Sequence, residues 1–141
     1  MSFAAYKVEA IVDAIGEAAD RGVKVRLILE TAKTERGTLT FGAAASFDEV
    51  RDKVLIFEWP AEKRPILDHG RASLHAKTAV ADDHIALVTS ANLTGLAISE
   101  NMELGLLIRG GPVPGRLRSH FAELIARGYL VEVVTRWSSP E

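Results

Sequence analysis

The sequence predicts an α/β fold in which a mixed β-sheet is flanked by α-helices. Three observations predict it. An amphipathic helical pattern stops at Gly22 and leads directly into an apolar strand pattern over residues 23–29, which is an α/β unit. Two strand-like runs, residues 73–81 and 85–89, are joined by the short polar turn Asp82-Asp83-His84, which reads as an antiparallel hairpin. A second helical pattern ends at Gly128 and is followed by a last apolar run over 130–134. With 141 residues, there is enough chain to bury one core but not two ordinary ones. Residues 1–136 are therefore expected to form a single domain and residues 137–141 a disordered tail.

The elements follow in order. Over residues 8–21, Val8, Ile11, Val12, Ile15, Ala18 and Ala19 fall on one helical face, the spacing of a surface helix packed on a core. Residues 31–40 are polar with Gly37 among them and read as a loop near the functional site. A short helix is predicted over 44–53, then a strand over 54–59 broken by Pro60, then a loop over 62–70 containing Pro65 and His69. After the hairpin comes a loop or helical turn over 93–101. A strand over 102–109 follows, with a break at Gly110-Gly111-Pro112. The second helix spans 116–127, with Leu117, Phe121, Leu124 and Ile125 on one face.

Composition narrows the chemistry. Apolar residues make up 48% and charged residues 26% of the chain, an ordinary globular balance. There is no cysteine, so thiolate nucleophiles, thiolate metal sites and disulfides are excluded. No apolar run approaches membrane-spanning length and the first residues show no secretory pattern, so a cytoplasmic location is the default expectation. The net charge of −2 argues against binding polyanions by overall charge, so any nucleic-acid contact must be local. Lys63, Arg64, Arg71, Arg109, Arg116, Arg118, Arg127 and Arg136 read as solvated surface. His84 reads as a turn residue, His120 as a helix-surface residue, and Trp59 and Trp137 as packing residues. No histidine or carboxylate spacing makes a zinc site, and neither a metal nor another cofactor is expected.

The informative stretch runs from Leu74-His75-Ala76-Lys77 through Asp82 and Thr89-Ser90-Ala91-Asn92 to Glu103. In extended chain, side chains alternate, so His75 shares a face with Lys77, and Ser90 with Asn92. A histidine, a fixed cation, a hydroxyl and an amide then converge at neighbouring strand ends, a set suited to a phosphate diester. Lys77, Ser90 and Asn92 can bind the phosphate and the charge that grows on it in the transition state. Neutral imidazole is a sensible nucleophile toward an anion, and His75 is the candidate. Glu103 can orient the ring by accepting its other N–H. Asp82, in the turn, is suited to pinning Lys77 or the hairpin.

His75-x-Lys77-x4-Asp82, then Ser90-x-Asn92, then Glu103 resembles the H-x-K-x4-D signature and downstream elements of the phospholipase D superfamily. The matched stretch is about residues 73–108, and the helix and strand of residues 8–30 also resemble that family's α/β unit. The resemblance implies catalytic roles for His75, Lys77, Asp82 and Glu103, phosphate binding by Lys77, Ser90 and Asn92, and no metal. It implies metal-independent hydrolysis in which His75 attacks phosphorus, a phosphohistidine forms, and water then releases it. A second histidine protonates the leaving oxygen and activates the water. Two copies of the motif are thus needed, and this sequence holds one; His69-Gly70-Arg71 has Ala76 where the aspartate should stand. The expectation is a homodimer with the active site at its two-fold axis.

The chain departs from the family pattern in two places. Thr89 stands where the family usually has glycine, and a side chain there would narrow the approach to phosphate. In the family a strand normally precedes the first helix, and only residues 1–7 stand there, so the sheet is expected to lack its first strand through N-terminal truncation. Within the superfamily, Thr-Ser-Ala-Asn-Leu-Thr and Asn-Met-Glu-Leu-Gly-Leu-Leu-Ile are similar to the phospholipase D-like component of the DISARM anti-phage defence system. The expected function is a nuclease acting on DNA, with a larger defence complex as a partner. The alternatives are a phospholipase D or phosphatidyl transferase acting on lipids, and a non-catalytic dimerisation or nucleic-acid-binding subunit.

Overall fold

Helix α1 (Glu9–Asp20) buries Val12, Ile15 and Gly16 on the face that the apolar period predicts. The computed structural model describes residues 2–3, 9–30, 43–68, 70–92 and 101–133. The expected loop over 31–40, His69, most of the loop or turn over 93–101, Arg136, and the tail with Trp137 lie outside them. Gly22 ends α1 with φ of +87°. Its N–H donates to the Ala19 carbonyl at 2.8 Å and that of Val23 to Ala18 at 3.1 Å, the paired bonds of a Schellman cap. Gly128 closes helix α2 (Val113–Ala126) in the same way, with φ of +72° and Tyr129 N–H donating to Leu124. Helix α2 begins three residues before the predicted start. Pro112 caps it and Pro114 sits in its first turn, where a missing N–H costs nothing.

Among the described residues the sheet has seven strands in the order β8-β7-β6-β1-β2-β3-β9. They are β1 (Ser2–Phe3), β2 (Arg26–Leu29), β3 (Leu55–Glu58), β6 (Thr78–Ala81), β7 (Ile85–Thr89), β8 (Gly105–Arg109) and β9 (Val131–Glu132). β1, β2 and β3 run parallel; β6 is antiparallel to β1, β7 to β6, β8 to β7, and β9 to β3. The mixed sheet is as expected. The position expected to be vacant is occupied: Ser2 pairs with Ile28 of β2 on one side and Thr78 of β6 on the other. Two residues suffice to join the parallel and antiparallel halves into one sheet, so β2 and β6 both have a neighbour there.

Alternation along β2 and β3 sends side chains to two cores. Leu27, Leu29 and Ile56 pack with Val12 and Ile15 of α1, with Phe47 and Val50 of a 3-10 segment (Ala43–Lys53), and with Val54 just after it. The predicted short helix is this segment, broken at Phe47. On the other face, Ile28, Phe57 and Leu130 pack with Phe121, Leu124 and Ile125 of α2, three of the four residues predicted for its apolar stripe. The predicted loop over 62–70 is more ordered than expected. It carries the end of a 3-10 turn (Ala61–Lys63) and leads into a small hairpin of β4 (Ile66–Leu67) and β5 (Gly70–Arg71). Ladders of two residues are too short to show a period of two. The predicted strand over 73–81 is also shorter, since pairing with β7 covers Thr78–Ala81 alone.

Candidate active site

The antiparallel arrangement gathers the sequence-predicted residues at one end of the sheet. β6 runs against β1 and β2, so its start lies beside their carboxyl ends. β7 ends there and β8 starts there. The carboxyl ends of parallel strands are where α/β sheets commonly place their sites. His75, Lys77, Ser90, Asn92 and Glu103 thus share this end, although each lies just outside the strands themselves.

His75 is exposed. Lys77 is buried, 8% exposed, and its Nζ donates to the His75 carbonyl at 2.8 Å. An ammonium has three donors and this bond uses one. The Lys77 carbonyl accepts the Thr89 N–H at 3.1 Å, which continues the β6–β7 register to the site. The alternation expected of His75 and Lys77 differs in one respect: with residues 72–77 outside the ladder, burial separates the exposed imidazole from the covered lysine.

Ser90 and Glu103 meet directly. Ser90 Oγ donates to Glu103 Oε2 at 2.5 Å and accepts the Leu104 N–H at 3.1 Å, and Ser90 N–H donates to the Leu104 carbonyl at 3.0 Å. Among the described residues no hydrogen bond joins Glu103 to His75; the carboxylate holds the serine hydroxyl. Asn92 is half-buried beside them. Thr89, where the family usually has glycine, is accommodated by a glycine across the ladder. It pairs with Gly105, where an added Cβ would stand 3.0 Å from the Thr89 Cβ. Its hydroxyl accepts the Ala91 N–H at 3.1 Å and donates to the Leu104 carbonyl at 3.3 Å. The side chain is therefore tied to β8 and its hydroxyl is spent on backbone.

Asp82 sits elsewhere. It occupies the hairpin turn in the left-handed region, with φ of +51°, five residues and roughly 16 Å of extended chain from Lys77. The structure brings it beside Arg118, Lys24 and Arg26 in a separate cleft of about 250 Å³. Its neighbour Asp83 takes a forked pair of bonds from Arg118, Nε to Oδ1 at 2.5 Å and Nη2 to Oδ2 at 3.1 Å. These bonds, then the attraction of the two charges, raise the Arg118 pKa further above its already high ordinary value. They fasten the turn to α2. His84 is exposed in that turn, and His120 is exposed on α2, edge-on to Phe121, as the sequence suggests.

Sequence reasoning misplaced Arg64 and missed Glu30. Arg64 is not solvated; it is 4% exposed. Its Nη1 pairs with Glu30 Oε1 at 2.7 Å, its Nε donates to the Trp59 carbonyl at 2.7 Å and its Nη2 to the same oxygen. Its guanidinium carbon lies 5.5 Å from the centre of the Trp59 ring. Glu30 Oε2 accepts the N–H of Leu74, the residue before His75, at 2.7 Å. A signal was available: Glu30 follows an apolar strand directly, at the end of the sheet where the site lies. Beside His75 opens a cleft of about 570 Å³ between α2 and the sheet, whose apolar lining includes Trp59, Leu74, Phe121, Leu124 and Leu130. Among the described residues no group of three or more His, Asp or Glu stands where it could hold a metal ion, and no helix is long and apolar enough to cross a membrane.

Comparison with known proteins shows the family and the fold. The family described as "Cardiolipin synthase, PLD-like domain" matches residues 1–125. Cardiolipin synthase B of Escherichia coli strain K12 is 32% identical over 114 residues, 80% of this chain and 25% of that protein. The chain thus spans about a quarter of the length of such curated relatives. DISARM protein DrmC of Bacillus paralicheniformis is 35% identical over 65 residues, 46% of this chain and 27% of that protein. Among solved structures, the phospholipase D family member Nuc from Salmonella typhimurium superposes with a TM-score of 0.69 at 18% identity, covering 96% of this chain and 80% of that one. NucT from Helicobacter pylori superposes with a TM-score of 0.68 at 18% identity, covering 94% and 79%. At that identity the structures speak for the fold alone.

Proposed function

This chain belongs to the phospholipase D superfamily, among the PLD-like domains of the cardiolipin synthase type, and on that premise we propose that it cleaves phosphodiester bonds with His75 as nucleophile. The observation that carries the reading is the gathering of His75, Lys77, Ser90, Asn92 and Glu103 at one sheet end by an antiparallel register. A ring nitrogen of His75 forms a bond to phosphorus, and the bond from phosphorus to the leaving oxygen breaks. A second histidine gives that oxygen its proton, and then removes one from the water that hydrolyses the phosphohistidine. Lys77 and Asn92 hold the phosphate oxygens, while the Ser90 hydroxyl gives its one proton to Glu103 and so holds that carboxylate at the site. Asp82 serves through the turn.

The second histidine comes, in this reading, from a second copy of the domain in a homodimer with His75 near its two-fold axis. The edge of the sheet supports this. Next to Ser90 and Glu103, the edge strand β8 and its approach expose Met102, Leu104 and Leu106, and Leu107 on the opposite face from Leu106, apolar side chains that call for a cover. A nucleic acid, DNA first, is the proposed substrate. The exposure of His75 and Ser90 suits the backbone of a long polymer, and the similarity to DISARM protein DrmC fits a part in anti-phage defence within a larger complex and in the cytoplasm.

The test is incubation with single- and double-stranded DNA in EDTA, with acid-labile, base-stable labelling of the protein followed in parallel. Cleavage that survives chelation and is lost in His75→Ala is expected. Cleavage that needs metal, or that persists in His75→Ala, would sink the mechanism. The apolar cleft beside His75 and the similarity to cardiolipin synthase B favour a second reading, phosphatidyl transfer. Headgroup exchange on phospholipid vesicles without DNA cleavage would select it. DNA retention with no turnover, equal in wild type and His75→Ala, would mark a non-catalytic binding subunit.

A further inference from the structure

His75 stands outside the sheet ladder, three residues before β6, so something other than the ladder must set the path of its backbone. Leu74 N–H donates to Glu30 Oε2 at 2.7 Å, immediately before the imidazole-bearing residue. The other oxygen of that carboxylate meets Arg64 Nη1 at 2.7 Å. Arg64 in turn binds the Trp59 carbonyl through Nε and Nη2. Three segments are thus joined through one ion pair: Glu30 follows β2, Trp59 follows β3, and Leu74 leads to the nucleophile. A carboxylate offers two oxygens to two donors, and a guanidinium fork fixes the direction of each bond.

Stability alone does not account for such a pair. Taking a guanidinium and a carboxylate out of water costs much of what their attraction returns, and apolar residues of the same volume often pack as well. What apolar residues cannot do is direct a backbone N–H. An attacking atom misplaced by about 1 Å can cost a hundredfold in rate, so a group that fixes this segment has value out of proportion to its stabilising effect.

We propose that Glu30, held by Arg64, is the positioning residue for the His75 segment. This rests on the reading of His75 as nucleophile. Glu30 touches no substrate; it acts by fixing Leu74, and Arg64 fixes Glu30.

Two variants test it. Glu30→Asp keeps the charge beside Arg64 but withdraws the carboxylate by one methylene. The double variant Glu30→Leu/Arg64→Leu removes the pair without leaving a buried charge alone, so the chain is expected to fold. Amide hydrogen exchange is read by NMR at Leu74 against Leu27 and Ile56 of the core. Turnover of bis(p-nitrophenyl) phosphate is followed in parallel. In both variants Leu74 should exchange about tenfold faster or more while Leu27 and Ile56 keep their protection. kcat should fall about tenfold or more with KM little changed. Leu74 exchange that stays at its wild-type rate, or that rises together with Leu27 and Ile56, overturns the proposal, as does faster Leu74 exchange with kcat unchanged. A wild-type chain without turnover removes the nucleophile reading instead. The Leu74 rate then decides by itself whether Glu30 holds this segment.

Discussion

The two halves of the sheet are finished to different degrees. Around β2 and β3, Leu27 and Leu29 are almost fully enclosed, and Ile56 and Phe57 are buried on opposite faces. α1 covers one side and α2 the other. Around β7 and β8, Ala86 is enclosed but Val88, Leu106 and Leu107 stand exposed, Leu106 at 67%. Thr78, Val88 and Leu106 face one another across the ladder, so one row of side chains passes from buried at β6 to open at β8. The catalytic candidates lie at the end of this open half. The first half is a core complete within one molecule. The second leaves apolar side chains exposed at the edge of the sheet, where the proposed dimer would cover them.

Three substitutions probe the difference between the halves. The largest effect is expected in the closed half. Leu27→Ala empties space between α1, β2 and β3 and should cost about 2–5 kcal/mol of unfolding free energy, measured by urea denaturation. A cost below about 1 kcal/mol would mean that this core is less closely packed than its burial indicates. Next comes Gly22→Ala. A Cβ there meets nothing within 4 Å, so the cost of about 1–2 kcal/mol is that of a left-handed backbone alone; no loss of unfolding free energy would show that the cap re-forms in another conformation. The smallest effect on the fold is expected from Leu106→Lys, within about 0.5 kcal/mol for the single chain, yet it should shift the protein from dimer to monomer in sedimentation velocity. A Leu106→Lys protein that remains dimeric would place the two-fold contact elsewhere and remove the apolar edge from the argument.

Legibility in the sequence followed the length of the signal. α1 and α2 each show an apolar stripe over three turns and a glycine at the stop, and both were readable to within a few residues at the cap. The hairpin β6–β7 was readable from its turn. β1, two residues long, was not: its place is set by the neighbours Ile28 and Thr78 on either side, and Ser-Phe alone shows no pattern. The hairpin β4–β5 was hidden for the same reason. At the site, the spacing of His75, Lys77, Ser90, Asn92 and Glu103 in the chain was enough to propose their convergence. It did not reveal that Glu103 would hold Ser90, or that Gly105 would make room for Thr89. Arg64 was misread because its sequence neighbours, Lys63 and Pro65, are those of an exposed loop. Burial is decided by Trp59 and Glu30, which lie five and thirty-four positions away.

By itself the sequence determined the α/β class, the two helices with their caps, the hairpin and the identity of the chemical groups. These depend on periodicity, turn chemistry and motif spacing, all of which are local along the chain. The tertiary structure alone decided that the carboxyl ends of β2, β3 and β7 and the starts of β6 and β8 meet at one end of the sheet. It also decided that Asp82 lies a strand's length from Lys77, and that Glu30 and Arg64 stand behind His75. Those facts depend on strand order and register, which arise from pairings between residues far apart in the chain.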